Sequence, residues 1–196
     1  MPVSDEIGLA AAVAVAGEHL QDIHNFTQRE IRDDARVRFP RGIMREAQHY
    51  RQLCPDHLEE KRASSCAYAF MWLDVLWWLN NRTDLVLTGR EMAIKSSVIT
   101  LGTIAEAMLT IPFQPGFGND QDFRTRLSNA HQRGWIDEND QRILKELWNK
   151  RNRVHLRRLD VSEFGTYEAA DIDLARAALD RMMASLKTRQ IGGDRK

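Results

Sequence analysis

Residues 58–108 read LEEKRASSCAYAFMWLDVLWWLNNRTDLVLTGREMAIKSSVITLGTIAEAM. Tyr68, Trp72, Leu76 and Leu79 recur every three or four positions, the spacing that aligns side chains along one face of an α-helix. Phe70, Val75, Trp77 and Trp78 widen that stripe, so the helix is expected to be covered on more than one side. Asp56 is a capping residue placed just before it, and Asn80-Asn81-Arg82-Thr83 reads as its end. Thr88 and Glu91 then fit a capping box, T-x-x-E. They predict a second helix with Ile94, Val98, Leu101, Ala105, Met108 and Leu109 on its apolar side, stopped at Pro112. No run of strict alternation competes with these periods, so helices rather than a sheet are expected.

Working outward from this pair, the Pro- and Gly-rich segment 112–119 reads as a loop. Phe123, Leu127 and Ala130 mark a helix over about 120–132, with Gly134 as its stop. Asp137 starts the next, carrying Ile143, Leu144, Leu147, Trp148 and Val154. Residues 160–166 read as a loop, and Asp171 opens a last amphipathic helix through Leu174, Ala178, Met182 and Leu186. On the N-terminal side, Ser4 followed by Asp5 and Glu6 caps a helix whose Val13, Ala16, Leu20 and Ile23 predict one buried face. That helix is expected to reach about Arg38, where Pro40 and Gly42 break it; residues 43–57 are ambiguous. The reading is an all-α fold, an antiparallel up-and-down helical bundle with an additional N-terminal helix. Its parts are an N-terminal extension packing on the core (1–57), the bundle (58–189) and a frayed tail (190–196).

Hydrophobic residues make up 43% and charged residues 29% of the 196 positions. This is globular composition and argues against disorder. The formal net charge is zero, so any grip on nucleic acid must come from a local basic patch. The two cysteines, Cys54 and Cys66, fit no zinc or redox spacing and read as buried thiols in a reducing compartment. No apolar run approaches the ~18 residues of a membrane helix, and Leu9 to Ala16 follows acids rather than a basic segment. A cytoplasmic protein without a membrane partner is expected.

The charge is concentrated in one place. Between 142 and 158 stand Arg142, Lys145, Lys150, Arg151, Arg153, Arg157 and Arg158, opposed only by Glu146. Such a run can neutralise phosphates, or it can be a solvated helical face. Arg151 and His155 lie four apart, on nearly the same side of a helix at ~100° per residue. Histidine moves protons near neutral pH, and the arginine fork matches a phosphate. Together they offer acid–base help and charge stabilisation for phosphodiester cleavage without a metal. Asn152 adds a neutral donor and acceptor. The remaining histidines, His19, His24, His49, His57 and His131, lack metal-ligand spacing. Gly116-x-Gly118 lacks the strand and helix of a phosphate loop.

The stretch from Phe123 to His155, in FRTRLSNAHQRGWIDENDQRILKELWNKRNRVHL, is similar to the motif region of HEPN domains (higher eukaryotes and prokaryotes nucleotide-binding). A helix leads to a glycine and an apolar residue, here Gly134-Trp135-Ile136, and a second helix ends in Arg-Asn-x-x-His. The preceding IKSSVITLGTIAEAML resembles a core helix of that family, with Glu106 near its end. The resemblance spans about Leu58 to Leu186. It implies an antiparallel helical bundle, usually a homodimer, that needs no cofactor or metal. Many members are endoribonucleases, often toxins or defence effectors; others are binding or assembly modules. The family motif maps onto Arg151, Asn152 and His155, with three residues between arginine and histidine where the family has four to six.

Two readings follow. In the first, the protein is a metal-independent endoribonuclease. His155 is general acid or base, Arg151 stabilises the phosphate, Asn152 orients it, and Lys150, Arg153, Arg157 and Arg158 bind flanking RNA. A protein antitoxin or other partner belongs to this reading. In the second, it is a non-catalytic helical module binding RNA, a nucleotide or a protein. The shortened spacing swings His155 by ~100° relative to a four-residue gap and favours the second.

Overall fold

The computed structural model describes residues 3–112, 114–153 and 165–189. All regular structure among them is helical: α1 (Glu6–Thr27), α2 (Ala47–Arg51), α3 (Glu60–Arg82), α4 (Leu87–Met108), α5 (Phe123–Gln132), α6 (Glu138–Asn152) and α7 (Ala169–Thr188), with a 3-10 turn at Asp33–Ala35. The fold is an all-α helical bundle, as the apolar spacing predicts. No described helix is long and apolar enough to cross a membrane.

The chain forms two compact units, Met1–Arg41 and Gly42–Lys196. The first is built on α1. The Asp5 carboxylate caps it by accepting from the Gly8 amide at 2.7 Å, where the sequence suggested Ser4. The helix closes at Gln28, whose φ is 50°, well before Arg38. The expected buried stripe is not realised: α1 has no buried residue, and Ile7 and Phe26 are 84% and 79% exposed.

The second unit holds the core, and it includes α2: Tyr50, Cys54 and Leu58 are all buried. Tyr50 stacks on Phe70 of α3 with ring centroids 5.7 Å apart, and its hydroxyl donates to Asp74. Glu59, not Asp56, occupies the N-cap of α3. α3 and α4 run antiparallel. Trp72 Nε1 donates to Ser96 Oγ at 3.2 Å, while on either side of that contact Ala69 shares a cavity wall with Thr103 and Trp77 shares another with Arg90.

α4 is the central helix. It packs on α3, α6 and α7, and it buries Ile94, Val98, Leu101, Ile104, Ala105 and Met108. The Thr88–Glu91 capping box does not form. Val86 stands at the N-cap without a side-chain bond, and Glu91 Oε1 accepts instead from the Gly165 amide at 2.7 Å. Asp122 and Asp137 cap α5 and α6 through the amides of Thr125 and Asp140, both at 2.7 Å. The N-cap of α7 lies three residues before the expected Asp171, in a capping box that the sequence reading did not identify: Glu168 is the N-cap and Asp171 the third helical residue, each bonding the other's backbone.

Candidate functional site

The site is assembled where the last turn of α6 crosses α4. Leu144 and Leu147 bury the inner face of α6, which sets the direction of the residues that follow at helical spacing. Trp148 packs on Phe123 of α5 with centroids 4.6 Å apart. The Arg151 guanidinium carbon lies 4.5 Å from the Trp148 ring centroid, a cation–π arrangement. The stem of Arg151 rests on α4 at Gly102. A Cβ added to Gly102 would lie 3.2 Å from both Cβ and Cγ of Arg151, so the missing side chain is what lets the two helices approach here.

One carboxylate organises the charges. Glu106, one turn beyond Gly102 on α4, faces Arg151 Nη2 with Oε2 and Arg126 Nη2 with Oε1, each at 3.5 Å. Arg126, from α5, is only 4% exposed. Its Nη1 donates to the Thr110 hydroxyl, and its Nε is buried without a hydrogen-bond partner among the described residues. Burial holds the Arg126 guanidinium below its usual pKa, opposed by the charge of Glu106, while Arg62 pushes the same way as burial. Arg151 keeps 28% of its side chain exposed, and its Nη1 donates to Asn152 Oδ1 at 3.1 Å. The fork is therefore held from three sides and still reaches solvent.

The remaining sequence candidates divide. Lys150 turns to α7, where its ammonium pairs with Asp171, and its carbonyl accepts from Tyr167 Oη at 3.4 Å. Arg153 is exposed, with its amide closing the last turn of α6. His155, Arg157 and Arg158 lie outside the described residues. Arg124, which the sequence reading passed over, joins this end of α6 through a 2.6 Å bond to Asn149 Oδ1. Comparison of the chain with known protein families, curated proteins and solved structures finds no match. The site therefore rests on its own geometry.

The other histidines carry structural bonds or stand in solvent. His57 Nε2 meets the Met108 carbonyl at 2.9 Å, and burial lowers its pKa. His131 Nδ1 meets the Ile136 carbonyl at 3.2 Å. His49 pairs with Arg45 at 2.8 Å, and His19 and His24 are exposed on α1. No group of three His, Cys, Asp or Glu side chains among the described residues is arranged to hold a metal. Gly116 serves the loop itself: its φ is 83°, and its carbonyl accepts from Asn129 Nδ2 at 2.8 Å. Arg126 was missed by sequence reading. The available clue was Glu106, the sole charged residue between Ser96 and Asn119, since a lone acid on an apolar helix calls for a buried cation.

Proposed function

We propose that the protein is a cytoplasmic, metal-independent endoribonuclease of the HEPN type, acting at the C-terminal end of α6. The observation that supports it is the Arg151 fork, which is held by Trp148, Glu106 and Asn152 above a stem resting on Gly102 and remains partly open to solvent. A fixed donor of this kind stabilises charge developing on a phosphate without reorganising first. In the reaction, the RNA 2′-oxygen attacks phosphorus and the bond to the 5′-oxygen breaks, leaving a 2′,3′-cyclic phosphate and a 5′-hydroxyl. One proton leaves the 2′-hydroxyl and one reaches the 5′-oxygen, with His155 as the carrier. Arg153, Arg157 and Arg158 bind flanking phosphates. A homodimer supplies a second histidine, and the exposed Tyr68, Trp72 and Trp77 on α3 are the apolar surface for such pairing. A role as toxin or defence effector, with a protein antitoxin as partner, belongs to the same reading.

A second reading has one observation behind it. Glu106 shares its charge with Arg151, which weakens the electropositive centre and suits a non-catalytic module that binds RNA, a nucleotide or a protein. Incubating purified protein with mixed RNA, with and without chelator, separates the two. Catalysis predicts cyclic-phosphate ends in both conditions. His155→Ala should then lose ~100-fold or more of the rate with helicity unchanged. Arg151→Ala should lose both cleavage and RNA affinity. Intact RNA with wild-type protein, or full activity in His155→Ala, leaves the module reading in its place. Light scattering at micromolar concentration tests the dimer, and a monomeric mass counts against it.

A further inference from the structure

α3, α4, the loop before α5 and α5 itself line an open, solvent-facing cavity of about 380 Å³, within the size range of small-molecule sites. Its walls differ in character. Ala69, Ile104 and Ala107 give it an apolar side, while Arg62, Asn119 and Arg126 stand on its polar side with Glu106 among them. Arg62 Nη2 reaches Asn119 Oδ1 at 3.4 Å, a long bond that leaves this guanidinium weakly engaged. Arg126 is more deeply committed: a buried guanidinium with one N–H lacking an acceptor among the described residues, and Glu106, the carboxylate that pairs with it at 3.5 Å, is shared with Arg151. Leaving a charged donor buried and unmatched is costly. A small rotation of that guanidinium would let an incoming anion relieve it.

We propose that this cavity is a binding site for a small organic carboxylate, with its charged end between Arg62 and Arg126 and its hydrocarbon body against Ala69, Ile104 and Ala107. The charge count selects the ligand. Two arginines and one glutamate line it, and the charges of Asp120 and Asp122 also act on Arg126, so the small positive excess at the lining suits at most a monoanion. A phosphate dianion would meet the Glu106 carboxylate as well as the two cations. The apolar wall has no use for a bare inorganic ion, and a carboxylate fits the planar guanidinium fork. Binding here needs neither His155 nor a scissile phosphate, although the cavity shares Glu106 and Arg126 with the network that holds Arg151.

The test is calorimetric titration of the full chain with acetate, benzoate and 4-phenylbutyrate, beside benzamide and inorganic phosphate. A saturable 1:1 isotherm is expected for benzoate or 4-phenylbutyrate, with benzamide and phosphate at least about tenfold weaker. Arg62→Gln should weaken the carboxylate about tenfold or more, and Ala107→Leu should abolish binding by filling the apolar side. Both positions are partly exposed, so these variants keep the fold where Arg126 substitutions put it at risk, and circular dichroism checks this. The proposal is overturned if no carboxylate saturates, if benzamide or phosphate binds as well, or if neither variant changes the isotherm. Competition of a short RNA for the bound carboxylate would overturn it too, by making the cavity part of a nucleic-acid surface.

Discussion

Tyr50 shows how one buried side chain ties solution pH to the fold. Burial pushes its phenol up to about 12 from an ordinary value of 10.0, and the Asp74 carboxylate, which accepts its proton, adds to the shift. A group whose pKa is raised by folding stabilises the fold fully below its unfolded value and loses that contribution as pH rises through the folded one. Urea midpoints should therefore fall between pH 10 and 12, and Tyr50→Phe should flatten that fall. The same variant should remove one late phenolate, near pH 12, from the ultraviolet titration of the three tyrosines. Gly102 carries a second prediction. Alanine there gains roughly 0.5–1 kcal/mol of helix propensity but meets Arg151 at 3.2 Å, so its stability should change little. Valine adds atoms to the same crowded contact, and overpacking of that kind costs about 1–3 kcal/mol. If Arg151 serves cleavage, Gly102→Ala should slow it more than it alters the urea midpoint, because the displaced group is the fork itself. Equal effects on rate and midpoint would count against that role.

At the scale of elements, apolar spacing and end signals were not equally legible. α4, α6 and most of α7 were readable because the stripe seen in sequence is the one buried, and a stripe is a local property of sequence. α3 was read as a helix but with its main stripe on the wrong face. It buries Cys66, Ala67, Phe70, Leu73 and Leu76 and leaves the expected Tyr68 and Trp72 exposed, with Leu174 of α7 exposed as well. Caps depend on a single dihedral turn. The Thr88–Glu91 match lost to Val86, and Asp171, read as a cap, proved to be the reciprocal partner of Glu168. α1 shows the limit of periodicity. Its alanines favour a helix in water as well as in a core, so the period of Val13, Ala16, Leu20 and Ile23 predicted the helix but not its exposure. The candidate site was half legible. Arg151 and Asn152 stand out in sequence and Glu106 was noted there through the family resemblance, whereas Gly102 and Arg126 come from two further helices and share no local pattern with them. Asp171 now carries an element-scale prediction. It bonds the Glu168 amide at 3.0 Å and pairs with Lys150, with 25% and 16% of the two side chains exposed. Asp171→Ala removes a cap and a partly buried ion pair at once, and should cost about 1–2 kcal/mol in urea unfolding. Asp173→Ala, on the exposed side of the same turn, should stay within about 0.5 kcal/mol. Equal losses would mean that α7 is stabilised by its charge near the N-terminus rather than by these bonds.

For the whole molecule, the distribution of burial argues that stability resides in one unit. Every buried hydrophobic residue among those described lies at Tyr50 or beyond. The contact boundary falls between Arg41 and Gly42, and α2 joins the bundle through Tyr50 and Phe70. Residues 1–41 hold α1 by its own hydrogen bonds and an Asp5 cap, while Ile7, Val13, Leu20 and Phe26 stay open to solvent. Removal of residues 1–41 should therefore leave a cooperative unfolding transition. Its free energy should lie within about 0.5 kcal/mol of the full chain's, the range of changes that touch no core contact. The loss in ellipticity should match one 22-residue helix. Exposed apolar side chains also promote association, so the shortened chain should remain in solution at higher concentration. The contrary result is equally definite. A loss of 2 kcal/mol or more, or a broad non-cooperative transition, would mean that α1 contributes buried contacts in solution. In that case Leu20→Ala and Phe26→Ala in the full chain should each reproduce part of the loss, and truncations of large apolar side chains that remain exposed should not.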